Sequence, residues 1–383
     1  MSPTQRAIPA WADWPAAASE TPYTLGVEEE VMMLEPHSWA LAHAIDSVLP
    51  TLSPTLAAKA TAETHGSALE LQTGIHNEVS GAMDELRALR DELHEALERM
   101  QLRVATAGTH PFAVWHNIVV SGGDRYQFVY GSMRELARRE PTFALHVHVG
   151  IAEPETAIRV CNRMRVHLPL LLALSGNSPF WQGRDTGLAS ARTPLFQAFP
   201  RVGIPRAFND YGDYVETVDL LIRSEGVPEP TFLWWDVRPQ PRFGTIEVRI
   251  MDAQSRTDET AALVALTQCL AKLEAEQGYA APAAIGAQEV ISENRFIAAR
   301  DGVDARLIDA EAEVRVSVKD MLGDLLPLCR SHAEDLGCER ELEWVNQLAT
   351  RSGAKRQLQR ARQGSLTGLL AHLADDFQAR TLT

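Results

Sequence analysis

Five short segments of this chain alternate apolar and ionisable residues with a period of two, and that period constrains the fold more than any other feature. Successive side chains of an extended strand point to opposite faces. In TFALHVHVGI, Leu145, Val147 and Val149 share one face while His146, His148 and Gly150 share the other. In YTLGVEEEVMML, Glu28 and Glu30 share a face and Glu29 points away; in SALELQT, Glu70 and Gln72 stand opposite Leu69 and Leu71. LWWDVRP sets Asp236 beside Arg238, and GTIEVRIMD sets Glu247 beside Arg249 with Ile246, Val248 and Ile250 behind them. If these strands form one sheet with helices on its aliphatic side, the other side collects four glutamates, an aspartate, two histidines and two arginines. The plain alternative is the wet face of an ordinary antiparallel sheet.

Carboxylates crowded in this way repel one another unless cations intervene. Hard oxygen ligands with an imidazole suit Mg²⁺ or Mn²⁺ better than zinc. Arginines on the same face are shaped for bidentate contact with phosphate or carboxylate. The chain has no G-x-x-x-x-G-K-[ST] loop, no G-x-G-x-x-G opening a helix, no H-E-x-x-H and no G-x-S-x-G, so P-loop, Rossmann, zincin and α/β-hydrolase readings lose their main support.

Residues 79–100 carry Val79, Met83, Leu86, Leu93, Leu97 and Met100 at three- and four-residue steps, the stripe of a long amphipathic helix facing the core. After Asp252 the pattern is helical almost to the end: one helix opens with a Thr257 cap and an acidic first turn, and EVRVSVKDMLGDLLPLCRSHAEDL and SLTGLLAHLADDF follow. Residues 1–20, rich in Ala, Pro and Trp, read as an extended arm, and 21–383 as a single α+β catalytic domain with a helical C-terminal third. With 383 residues, 45% hydrophobic and 23% charged, the chain can bury a large core. Its net charge of −15 argues against a nucleic-acid partner. Four cysteines without a C-x-x-C pair, no signal-peptide pattern and no run long enough to span a membrane point to the cytoplasm.

The segments YTLGVEEEVMML, SALELQTGIH, GTHPF, DRYQ, HVHVG, SPFWQGRDTGLASARTPLFQAFP, WWDVRPQPRFGTIEVRIMD and GSLTGLL, in this order, resemble the type 2 glutamate–cysteine ligase family, in particular its bacterial carboxylate-amine ligase branch. The resemblance runs from Tyr23 to about Leu370 and implies a glutamine-synthetase-like fold: a bent antiparallel sheet forming a funnel with helices packed outside. It also implies ATP-dependent joining of the γ-carboxylate of glutamate to an amine, cysteine or a related one, through an acylphosphate, with ADP and phosphate released. Position by position, Glu28, Glu30, Glu70, His148 and Glu247 match the family's metal and nucleotide ligands. Glu28, Glu247 and Arg249 would serve catalysis, and Arg192, Arg238 and Glu247 would hold the nucleotide. His146 would orient a ligand and Glu29 would support the strand; Thr109 and His110 fit either the site or a turn. The implied cofactors are ATP and Mg²⁺ or Mn²⁺, and the partners are glutamate, an amine and ATP, with a homodimer allowed. Two readings from other classes stay open: a non-catalytic nucleotide- or amino-acid-binding protein of this fold, and a metal-dependent phosphohydrolase.

Overall fold

The computed structural model describes residues 8–139 and 141–379. Its centre is a seven-stranded sheet of β1 (Leu25–Leu34), β2 (Ala60–Ala62), β3 (Ala68–Gln72), β4 (Arg103–Ala105), β5 (Ala144–Gly150), β6 (Val237–Gln240) and β7 (Thr245–Asp252). The order is β6-β7-β5-β1-β3-β2, with β4 pairing the far end of β1, and every pairing is antiparallel. The sheet is open rather than a closed barrel. A register shift between Val248 and Met251 interrupts the β5–β7 ladder, the kind of bulge that bends a strand and increases its twist.

The aliphatic residues identified by alternation form one side of the core: Val27, Val31, Leu69, Leu71, Leu145, Val147, Val149, Ile246 and Val248 are all buried in a single cluster. Helices α1 (Val79–Arg99), α2 (Pro154–Ser175) and α3 (Thr257–Glu276) contribute the facing residues, among them Leu86, Leu93, Leu168 and Leu266. Helix α3 is buried on every side from Thr257 to Glu274, so it is the centre of the helical layer and carries no polar stripe. Helices α4 (Gln288–Asp301), α5 (Val318–Leu336) and α6 (Leu366–Gln378) are among those that pack outside. Among the described residues no helix is long and apolar enough to cross a membrane.

Three local expectations need correction. Thr257 is the first helical residue of α3 and Arg256 the residue before it, so Thr257 does not cap the helix, although the acidic first turn of Asp258 and Glu259 is present. In the C-terminal third, Arg306–Asp309 and Val314–Ser317 form an antiparallel hairpin. The β-branched alternation of Val-Arg-Val-Ser favours a strand there, and Ser317 then caps α5 through the amide of Asp320. Of the expected N-terminal arm, residues 1–7 lie outside the described residues; from Ala10 onward the chain makes a 3₁₀ turn and a short helix against the body. The indole of Trp14 donates to the carbonyl of Ile151 at 2.9 Å, and Trp11 and Trp14 pack edge-on against Tyr214 and Tyr211.

Candidate active site

Strand register assembles the site. Glu28 stands opposite His146 on β5 and Gln72 on β3, Glu30 opposite Glu70, and Glu247 opposite both His148 and Arg238. Because side chains of one face recur every second residue, these pairings bring the ionisable groups of five strands onto one surface. Three groups result in which potential ligand atoms lie within 4.8 Å of one another: Glu28 with His148 and Glu247, Glu28 with Glu70 and His146, and Glu30 with Glu63 and Glu70. They run diagonally across the sheet, adjacent groups sharing Glu28 and then Glu70.

At one end the charges are balanced. Burial opposes ionisation of Glu247, but Arg238 and Arg249 outweigh it and hold the carboxyl well below its ordinary range. Arg238 donates to Glu247 through Nε at 2.7 Å and Nη2 at 3.1 Å; Arg249 donates from the other side. His148 is fixed by a 2.9 Å hydrogen bond between Nδ1 and Thr245 Oγ1, which leaves Nε2 3.5 Å from Glu28 Oε1. Burial would lower the pKa of His148, yet Glu247 and Glu28 carry it above its ordinary value. His146 shifts the other way, because burial and the nearby Arg249 disfavour a second positive charge. Glu28 is half-buried; burial opposes its ionisation, but hydrogen bonds from His146 and His148 pull its pKa down.

At the other end carboxylates crowd together. Burial first, then Glu28, Glu63 and Glu30, raise Glu70 well above the ordinary value; burial and Glu30 push Glu63 up to about 8. A cation placed among these carboxylates would relieve their repulsion. Carboxylate oxygens with imidazole nitrogen form a donor set that fits Mg²⁺ or Mn²⁺.

Glu63 has no place among the candidates named from sequence. It follows a three-residue, alanine-rich strand too short to read as one, although Thr61 and Glu63 continue the period of two. Its backbone carbonyl accepts from the hydroxyl of Ser121, and the carbonyl of Ala62 accepts from Tyr126.

Of the other residues named from sequence, Asp236 is the one the alternation misplaces. Asp236 leaves the cluster and pairs with Arg295 of α4 at 2.6 Å, because Trp234–Trp235 pairs in parallel with Val202–Gly203 and the face does not carry over into β6. Arg192, expected to hold the nucleotide, is buried; its Nη1 and Nη2 donate to the carbonyls of Ile250 and Arg249 at 3.0 and 3.1 Å, bracing the β7 bulge. Arg238 divides its donors between Glu247 and the carbonyls of Thr231 and Leu233. Thr109 donates to the carbonyl of Phe180, and His110 Nδ1 accepts the amides of Phe112 and Ala113, so both organise a turn. Glu29 faces the helices and accepts two hydrogen bonds from Arg90 of α1, at 2.7 and 2.5 Å.

The open antiparallel sheet thus concentrates acids, imidazoles and arginines on one face and packs helices on the other, as the sequence resemblance implied. A model of glutamate–cysteine ligase family 2 matches residues 24–373, and the chain belongs to that family. A provisionally named glutamate–cysteine ligase 2-1 of Rubrobacter xylanophilus is 39% identical over 338 residues, 88% of this chain and 89% of the relative. A provisionally named glutamate–cysteine ligase 2 of Sorangium cellulosum is 38% identical over 340 residues, 88% of this chain and 91% of the relative. The crystal structure of the glutamate–cysteine ligase of Francisella tularensis in complex with AMP shares the fold with a TM-score of 0.71, at 14% identity, over 94% of this chain and 90% of the other.

Proposed function

We propose that the chain is an ATP-dependent carboxylate-amine ligase that joins the γ-carboxylate of glutamate to an amine, cysteine or a related one, by way of an acylphosphate. The observation that carries this reading is the chain of three ligand groups linked through Glu28 and Glu70 beside two arginines, the buried Arg238 and the half-buried Arg249. In this reading Glu28, Glu30, Glu63, Glu70, His146, His148 and Glu247 are the residues available to hold Mg²⁺ or Mn²⁺. When bound, the ions supply neutralisation of the nucleotide's phosphate charge.

The γ-carboxylate of glutamate attacks the terminal phosphorus of ATP in line, ADP leaves, and the amine then opens the acylphosphate and releases phosphate. Arg249 stands on the site face beside Glu247, where a guanidinium stabilises charge developing on the transferred group. Arg238 keeps Glu247 ionised, and Arg192 acts through Arg249 by holding its backbone. Among the described residues all four cysteines are buried, and the route needs no covalent protein nucleophile.

The test is release of ADP in the presence of Mg²⁺, ATP and glutamate, with and without a panel of amines. Turnover that requires glutamate and rises with one amine is the expected result. Hydrolysis indifferent to both would favour a phosphohydrolase, and absence of turnover in a protein that still binds nucleotide would favour a non-catalytic binder.

A further inference from the structure

The turn that joins β6 to β7 lies beside the ligand group of Glu28, His148 and Glu247, and it carries an aromatic side chain left in the open. Phe243, the last residue of the turn Pro241–Phe243, is 55% exposed. Its ring meets the imidazole of His148 edge to face, with centroids 5.8 Å apart and planes at 77°. Thr245, two residues further on, holds the same imidazole through Nδ1. The guanidinium of Arg242 lies 5.5 Å from the centre of the phenyl ring. A single exposed apolar residue is ordinary on a protein surface. This one touches a histidine of the candidate site, within reach of what that site holds.

The backbone under Phe243 is fixed on both sides. Gly244 has φ of 66°, in the left-handed region that favours glycine, and closes the turn by donating to the carbonyl of Pro241 at 3.1 Å. A Cβ at Gly244 would fall 2.6 Å from that of Ala18 and 3.2 Å from the ring of Pro15, so the N-terminal segment packs directly on the turn. The carbonyl of Gly244 accepts from the amide of Ile151 at 2.9 Å, and the carbonyl of Ile151 in turn accepts from Trp14. The phenyl ring is therefore positioned before a ligand arrives, which lowers the ordering cost of using it.

Charge decides which part of a ligand reaches this ring. Arg238 and Arg249 flank Glu247 at this end of the row, whereas Glu30, Glu63 and Glu70 crowd the other. The phosphates of a nucleotide meet positive charge here. An exposed phenyl ring beside them, with a guanidinium next to it, matches the π-face of a base. Glutamate has no ring to stack.

We infer that Phe243 is the surface on which the base of the bound nucleotide stacks, with Arg242 alongside. The inference rests on the reading of this face as a nucleotide site and adds to it the residue that recognises the base. Phe243 then sets affinity for the nucleoside part and takes no share in the transfer of the phosphoryl group.

Calorimetric titration of the full chain in Mg²⁺ tests this, with ATP, ADP and tripolyphosphate as probes, the last carrying the charges without a base. Phe243→Ala, at an exposed position where folding is not at stake, should weaken ATP and ADP by about ten-fold, the usual worth of one base stacked on one ring. Its affinity for tripolyphosphate should stay within about two-fold of the parent. Phe243→Trp should keep the nucleotide affinity, because it keeps a π-face. Equal loss of ATP and tripolyphosphate in Phe243→Ala would mean that the ring only supports His148, and would overturn the inference. So would unchanged ATP binding in Phe243→Ala, which leaves the nucleotide site standing. A parent chain that binds neither ATP nor tripolyphosphate would overturn the reading of the site and this inference together.

Discussion

Replacing Arg90 with methionine is expected to destabilise the protein by about 3–5 kcal/mol, the usual result of removing one partner of a buried ion pair. The side chains of Arg90 and Glu29 are 1% and 0% exposed, and Arg90 makes five hydrogen bonds: two to Glu29 and one each to the carbonyls of Gln254, Ser255 and Phe377. The variant strands a carboxylate in the core and, among the described residues, leaves Thr260 Oγ1, 3.4 Å away, to donate to it. A second variant, Glu29→Leu with Arg90→Met, removes the stranded charge but not the loss at the three carbonyls, so it should recover part of the stability and not all. Equilibrium unfolding in urea measures both, with the midpoint falling at unchanged slope if the change is one of stability. A cost below about 1 kcal/mol for Arg90→Met, the range of an exposed pair, would refute the reasoning. So would a double variant less stable than the single one.

Glu63 sets a pH dependence in the metal-free protein. Its carboxyl is raised from 4.5 to about 8, so the folded state keeps a proton that the unfolded chain has released, and stability is full below about pH 4.5 and declines as pH rises through about 8. Melting temperatures in chelator should fall from pH 5.5 to 8.5, and Glu63→Gln should flatten that slope; a rising slope would contradict the assignment. Mg²⁺ with ATP should stabilise the fold by about 2.7 kcal/mol at a hundred times the dissociation constant, and ATP without metal by far less, as read by thermal shift. Glu28→Gln and Glu247→Gln should abolish turnover while the far-ultraviolet dichroism stays native, and normal turnover in both would remove these carboxylates from the site. His148→Ala should reduce metal-dependent ATP turnover more than His146→Ala; equal losses would show that both rings act on the ligands alike.

Much of this architecture is legible in the sequence because a period of two records which residues share a face, and Glu28, Glu30, Glu70, His146, His148 and Glu247 share one. Periodicity fails where a face does not persist. Asp236 lies at a change of pairing partner, and its alternation with Arg238 therefore says nothing about where its carboxylate goes. Glu63 escapes because a three-residue strand has too few repeats to be seen. The Glu29–Arg90 pair leaves a signal of a different sort. Glu29 breaks an aliphatic face of β1, and Arg90 is buried on the stripe between Leu86 and Leu93, so two violations of pattern mark one ion pair. The direction of a long arginine is the hardest to read: the family resemblance assigns Arg192 to the nucleotide, but only packing shows that its donors are spent on the backbone of β7.

The sharing of Glu28 and Glu70 between adjacent ligand groups makes substitutions along this row unequal. Glu247 and Glu63 stand at its two ends, and losing either one subtracts from a single group. Losing Glu28 or Glu70 subtracts from two at once. The three groups therefore form one connected row, in which charge gained or lost at the centre is felt by both neighbours. The damage from a substitution should follow its place in the row more closely than its exposure, and variation between related chains should be tolerated sooner at the ends than in the middle.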